Sequence, residues 1–67
     1  MLKVNFTIKV KPEDRDRIMY ILGEYDIKIF DIVTDPRYIE CHGSYGSIKE
    51  FFECMNERND IDILLIL

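Results

Sequence analysis

The chain has 67 residues, of which 48% are hydrophobic and 33% are charged, a balance that predicts one folded domain over residues 1–67 and excludes a disordered chain. Its formal charge is −4 and its lysines and arginines form no cluster in sequence, so the basic footprint of a nucleic-acid-binding protein is missing. We therefore expect no nucleic acid as a partner. We also expect no membrane, because the terminal "ILLIL" is too short to cross a bilayer.

The first half of the chain predicts a strand, a helix and a second strand. Apolar residues fall at every second position from Leu2 to Val10, the pattern of a strand with one buried face. Pro12 suits the first turn of a helix, and apolar residues at helical spacing continue that helix to about Gly23, where a glycine can end it. The segment "DIKIFDIV", residues 26–33, is apolar on both faces and predicts a second strand that is bulged or covered on both sides.

The second half predicts a strand, a helix and a last strand. After an Asp-Pro turn, "RYIECH", residues 37–42, alternates in polarity and predicts a strand in a hairpin with the second strand. A second helix is expected from Ser47, which would form a capping box with Glu50 three residues later, each side chain satisfying a free backbone N–H. The closing "IDILLIL", residues 61–67, is apolar on both sides, which fits a central strand or an edge strand that pairs with another subunit.

This order of elements, β-α-β-β-α-β, indicates a fold class. Each helix carries one apolar stripe and therefore packs on one side of a sheet. We expect an α+β two-layer sandwich in which a small, four-stranded, mainly antiparallel sheet carries both helices on one face. Right-handed crossovers leave split β-α-β topologies, either ferredoxin-like or phosphocarrier-like.

The stretch "CHGSYGSIKE", residues 41–50, holds the candidate functional residues. Glycines and serines just before a helix can leave backbone N–H groups free to bind an anion at the helix N-terminus. The same residues can instead serve only as a turn and a helix cap. The candidates for anion binding or partner contact are Gly43, Ser44, Gly46 and Ser47, and Ser44 is also a candidate for modification.

The cysteines and the single histidine do not predict a metal or catalytic site. Cys41 and His42 are neighbours on a predicted strand, so their side chains point to opposite faces and cannot easily share one ion. No acid, base and nucleophile converge in the pattern. We therefore expect no enzyme activity, no metal and no cofactor. Two cysteines are also too few for a secreted disulfide framework, and without a signal-peptide pattern we expect a cytoplasmic protein.

The segment "RYIECHGSYGSI", preceded by "EYDIKIFDIVTD", resembles the histidine-containing phosphocarrier protein of the sugar phosphotransferase system. The resemblance implies that Ser44 occupies the position of that family's regulatory serine. The family carries its phosphate on a histidine at the start of the first helix, where this chain reads "VKPEDRDRI" and has no histidine. The resemblance therefore implies a degenerate phosphocarrier that lacks phosphotransfer.

A second resemblance is to ACT-type regulatory domains, through the element order and through "GEYDIKIFDI", which is similar to their glycine-containing approach to strand two. It implies pairing between copies through sheets or helices, with a small effector bound at the interface. The glycine of the first strand-helix loop in those domains is replaced here by "KPED".

These features together predict a non-catalytic binding or regulatory protein that acts through protein contacts, with a degenerate phosphocarrier as the leading interpretation. An ACT-like domain that binds a small molecule and forms a homodimer is the first alternative. A small acidic inhibitor that occupies a basic groove of another protein is the second.

Overall fold

A four-stranded sheet carries two helices on one face in the computed structural model, which describes residues 2–30 and 35–67. The two-layer α+β sandwich expected from the element order is confirmed. In chain order the elements are β1 (Lys3–Val10), a 3-10 turn (Pro12–Asp14), α1 (Arg15–Glu24), β2 (Lys28–Phe30), β3 (Tyr38–Ser44), α2 (Tyr45–Glu57) and β4 (Ile63–Ile66).

The sheet has the strand order β2-β3-β1-β4, and every pair of neighbours is antiparallel. Consequently β1 and β2 run parallel with β3 between them, and β3 and β4 run parallel with β1 between them. Each β-α-β unit is thus split by one strand, which is the ferredoxin-like arrangement. Of the two topologies that the sequence left open, the structure has this one and not the phosphocarrier-like one.

The core lies between the helices and one face of the sheet. Alternate residues of β1 and β3 point into it, so that Ile8 pairs across the strands with Ile39 and both are fully buried. The buried residues form one contiguous cluster, as a single domain requires. They are Ile8, Val10, Ile18, Ile21, Leu22, Ile27, Ile39, Cys41, Phe51, Met55 and Ile61.

The first helix begins later than the sequence predicts and ends close to the predicted residue. Pro12 starts a 3-10 turn, and α1 proper begins at Arg15. Gly23 lies inside α1, and the residue with positive φ is Asp26, at 61°. The Asp26 N–H donates to the Gly23 carbonyl and the Ile27 N–H to the Leu22 carbonyl, the two hydrogen bonds of a Schellman motif. The predicted end near Gly23 is confirmed to within one residue, but the residue that adopts the left-handed conformation there is Asp26 and not the glycine.

The predicted hairpin is confirmed, since β2 pairs antiparallel with β3 and Ile29 lies opposite Cys41. Residues 26 and 27 precede the strand, and the part of the predicted strand at 31–33, with its predicted bulge or covered faces, lies outside the described residues. Within residues 2–30 and 35–67, no helix is long and apolar enough to span a bilayer.

Candidate functional site

The junction of β3 and α2 contains all four candidate residues of the sequence analysis, but it is not a loop. Strand β3 ends at Ser44 and α2 begins at Tyr45. Ser44 is the N-cap: its backbone is extended, and its Oγ accepts a hydrogen bond of 3.2 Å from the Ser47 N–H. The prediction of a capping box from Ser47 to Glu50 is therefore wrong, because Ser47 already lies at the third helical position and Ser44 supplies the cap.

The glycines of this junction are ordinary strand and helix residues. Gly43 is buried in β3, and a Cβ at this position would lie 3.2 Å from Cγ1 of Ile27, so the glycine permits close packing of that side chain. The Tyr45 N–H donates to the Leu2 carbonyl, which leaves one amide fewer for an anion. Anion binding by Gly43, Ser44, Gly46 and Ser47, and modification of Ser44, stay predictions.

Cys41 and His42 point to opposite faces of the sheet, as predicted. Cys41 is fully buried, and burial raises the pKa of its thiol to about 12, so it stays protonated and is a poor nucleophile. The His42 imidazole is half-buried on the other face, where its Nδ1 contacts Oδ1 of Asn5 and its ring lies 5.9 Å from that of Phe30. Within residues 2–30 and 35–67, no three potential ligands are grouped to hold a metal ion.

The second thiol lies in a different environment. Cys54 is half-buried on α2, and its hydrogen bond with the Tyr25 hydroxyl is the main reason that the pKa of Tyr25 is raised. Burial and the nearby carboxylates Glu50 and Glu24 raise the Tyr25 pKa further. The tyrosine therefore stays neutral at neutral pH.

A groove of about 610 Å³ runs between α2 and β4. Its floor is apolar and its rim is charged, a combination that is typical of ligand and partner sites. Sequence reasoning did not predict this groove, although the apolar stripe of α2 and the two-sided apolarity of "ILLIL" were its signals. The lining residues are Lys49, Phe52, Glu53, Met55, Asn56, Arg58, Ile61, Asp62, Ile63 and Ile66.

Strand β4 is an exposed sheet edge beside this groove. It pairs with β1 on one side, with Lys9 opposite Leu65 and Val10 opposite Ile63, which leaves Leu64 as the extra residue of a β-bulge. Leu64, Leu65 and Ile66 are 49%, 47% and 55% exposed. Natural edge strands are normally protected by charges or proline, and β4 carries neither between residues 63 and 66. Of the two predicted placements for this strand, an edge is therefore the observed one.

The sheet face opposite the helices, called here the open face, is polar in its centre. Antiparallel partners share a face, so the register places Lys28, His42 and Asn5 in one row across the sheet, and Phe30, Glu40 and Thr7 in the next. Lys28, Glu40 and Phe30 are exposed.

Comparison with known proteins decides the family. A family model described as the small subunit of acetolactate synthase matches residues 4–64, which is most of the chain. The chain belongs to this family. No curated protein matches the chain.

The small-subunit family accounts for the fold and for the class of function. The matched region is the C-terminal region of a regulatory, non-catalytic subunit, an ACT-like domain with a ferredoxin-like fold. Subunits of this family associate with a catalytic partner. The ACT-like interpretation is therefore favoured over the degenerate phosphocarrier, which was the leading interpretation of the sequence and which none of the comparisons supports.

Proposed function

We propose that this protein is a non-catalytic regulatory module that binds the catalytic subunit of acetolactate synthase in the cytoplasm and changes its activity. The family match over residues 4–64 carries this proposal. The chemistry of the site residues agrees with a non-catalytic role, because the buried Cys41 thiol is protonated and the Tyr25 hydroxyl is neutral. Both cysteines are free, which fits a reducing compartment.

The module acts as a homodimer in which β4 of one copy pairs antiparallel with β4 of a second copy. Pairing would satisfy the outer backbone groups of the strand and cover side chains of Leu64, Leu65 and Ile66 that are about half exposed. It would also bring the two α2 helices together across the two-fold axis. Lys49 and Glu53 both lie on the groove rim, so Lys49 of one copy faces Glu53 of the other when the helices run antiparallel.

Such a dimer would close the α2–β4 groove over an effector. The groove offers an apolar floor that includes Phe52 and Ile63, and both positive and negative groups on its rim. A small zwitterion with an apolar side chain, such as an amino acid, matches that distribution of charge. The ACT-like class of the domain supports an effector of this size.

Reconstitution tests the regulatory role. The catalytic subunit from the organism that encodes this chain is assayed for acetolactate formation with and without one equivalent of the purified protein, and each sample is repeated with a panel of amino acids. We expect the protein to change the activity of the catalytic subunit and to make it sensitive to at least one apolar amino acid. An activity that is identical with and without the protein, at concentrations up to 100-fold above that of the enzyme, would refute the proposal.

Sedimentation equilibrium tests the dimer. Leu65→Glu places a charge on the β4 edge, whereas Tyr20→Glu replaces another exposed apolar residue, on α1, and is the matched control. We expect the wild-type protein and Tyr20→Glu to form dimers and Leu65→Glu to dissociate at concentrations at least 10-fold higher. A wild-type protein that stays monomeric at millimolar concentration, or a Leu65→Glu variant that dimerises normally, contradicts pairing through β4.

A further inference from the structure

The fold sorts the charges of this acidic protein between its two layers. The helices with their adjoining turns, residues 12–26 and 45–60, contain nine acidic and four basic residues. The strand residues that face away from the helices include three lysines and one glutamate: Lys3, Lys9, Lys28 and Glu40. Among residues 2–30 and 35–67, the open face is therefore net positive in a chain whose total charge is −4.

These lysines are available to a partner. Lys3 and Lys28 are exposed and Lys9 is partly exposed. Within residues 2–30 and 35–67, none of the three forms an ion pair, whereas Arg17, Arg37 and Arg58 are all bound to aspartates. Cations gathered on one surface produce a positive potential that attracts a complementary surface.

Apolar groups flank the lysines on the same face. Phe30 is 41% exposed on β2. At the opposite edge of the sheet, Leu65 of β4 lies opposite Lys9. Leu67 exchanges both backbone hydrogen bonds with Thr7, so both leucines lie on the open face. The open face therefore combines lysines with apolar groups at both edges of the sheet.

We propose that the open face is the docking surface for an acidic patch on the catalytic subunit, an inference that rests on the proposed regulatory function. Charge complementarity identifies the chemistry of the partner: lysines at the ends and edges of the sheet meet carboxylates, while Phe30, on the edge strand farthest from β4, supplies an apolar anchor. Glu40 is the one acidic side chain among the described residues of this face, and it repels the carboxylates of the partner.

The same face could suit single-stranded nucleic acid, which binds to basic surfaces with aromatic platforms. The rings of this face are already engaged, however. Lys9 Nζ and the Arg37 guanidinium carbon each lie 5.9 Å from the centre of the Tyr38 ring, and Phe30 packs near His42. A base that stacks on Tyr38 would compete with these cations for the ring, and the total charge of −4 opposes a polyanion, so a protein surface is favoured.

Binding to the immobilised catalytic subunit, measured by surface plasmon resonance at several salt concentrations, tests this surface. The variants are Lys3→Glu with Lys28→Glu as a pair, and Glu40→Lys alone. Lys11→Glu, with the same charge change per residue, is the control because Lys11 follows β1 and pairs with Asp62 at the sheet end. Circular dichroism confirms that each variant is folded.

We expect the double variant to raise the dissociation constant about 10-fold or more at low salt, mainly through slower association, and Glu40→Lys to lower it. Lys11→Glu should change it less than twofold, and all differences should shrink as salt screens the charges. If the wild-type protein binds and regulates the enzyme but the open-face variants bind equally well, the docking surface is refuted and the proposed function stands. If the wild-type protein neither binds nor regulates, both fall. The inference would also be overturned if the wild-type protein bound a labelled 20-nucleotide poly-U strand and the double variant did not, while both had the same dissociation constant for the catalytic subunit.

Discussion

Replacing Ser44 with alanine tests the helix cap at the junction of β3 and α2. The Ser44 Oγ accepts a hydrogen bond of 3.2 Å from the Ser47 N–H, and alanine leaves that partly buried amide without its acceptor. Loss of a serine N-cap destabilises a protein by about 1 kcal/mol. In a domain of this size the melting temperature should fall by about 4–8 °C.

Two matched variants separate the cap from other effects of the substitution. Ser47→Ala removes the hydroxyl that accepts a 3.0 Å hydrogen bond from the Ser44 hydroxyl. It keeps the cap itself, because the backbone N–H of residue 47 can still donate to Ser44 Oγ. We expect a loss of only a few tenths of a kcal/mol for that variant. Ser44→Asp keeps an acceptor at the cap and places negative charge at the positive end of the helix dipole, so its stability should equal or exceed that of the wild type.

Urea unfolding followed by circular dichroism at a fixed protein concentration measures these differences. The midpoint should fall for Ser44→Ala while the slope of free energy against urea stays constant, which identifies a change of stability in the folded state. A loss of stability for Ser47→Ala that equals or exceeds that for Ser44→Ala would show that the cap lies at Ser47 and that the helix begins later than described.

Three further outcomes follow from the structure. Under native conditions at pH 8 a thiol reagent should label Cys54 quickly and leave Cys41, whose pKa is raised to about 12 by burial, unlabelled until urea is added; equal labelling rates contradict this. Hydrogen bonds from arginines lower the pKa of Asp35 and Asp60 from 3.8 to about 2. The stability that these carboxylates contribute is therefore present above pH 4 and is lost as the pH falls towards 2. Between pH 4 and pH 2, the urea midpoint of Asp35→Asn or Asp60→Asn should therefore fall less than that of the wild type. Asp26→Gly should stabilise the protein by about 0.5–1 kcal/mol, because relief of the roughly 1–2 kcal/mol cost of a left-handed φ of 61° exceeds the roughly 0.5–1 kcal/mol entropic cost of glycine. A lower urea midpoint would refute the Schellman assignment.

The element order and the core faces could be predicted from the sequence because each depends on a local period. Ile8 and Val10 recur at strand spacing and Ile18 and Leu22 at helical spacing, and all four are buried. Strand order is different, since it is set by which faces and edges meet across the chain. The order β-α-β-β-α-β admits more than one sheet, and only the observed pairing of β1 with both β3 and β4 distinguishes them.

The cap was misplaced for a related reason. Ser47 followed by Glu50 satisfies the local rule for a capping box, but β3 continues through Ser44 because Gly43 and Ser44 pair with Val4 and Lys3 of β1. Tertiary pairing therefore decided where the strand ended, and the helix began directly after it. The groove between α2 and β4 could not be predicted either, because it depends on how the helix packs beside the edge strand, and that arrangement follows from the strand order.

The net charge of the chain does not show how its charges are distributed between the two layers of the fold. A total of −4 argues against a general affinity for polyanions, and it is the basis of the second alternative interpretation, an acidic inhibitor that occupies a basic groove. The sheet, however, requires Lys3, Lys9 and Lys28 to alternate with core residues, and this alternation places them all on the face away from the acidic helices. A regulatory domain built this way presents opposite charges on its two broad faces, so an acidic partner approaching it is repelled by the helix layer and attracted to the sheet. Orientation in the complex can thus be set by a distribution of charge that the total of −4 does not reveal, and the paired Lys3→Glu/Lys28→Glu variant and Glu40→Lys measure that effect in opposite directions.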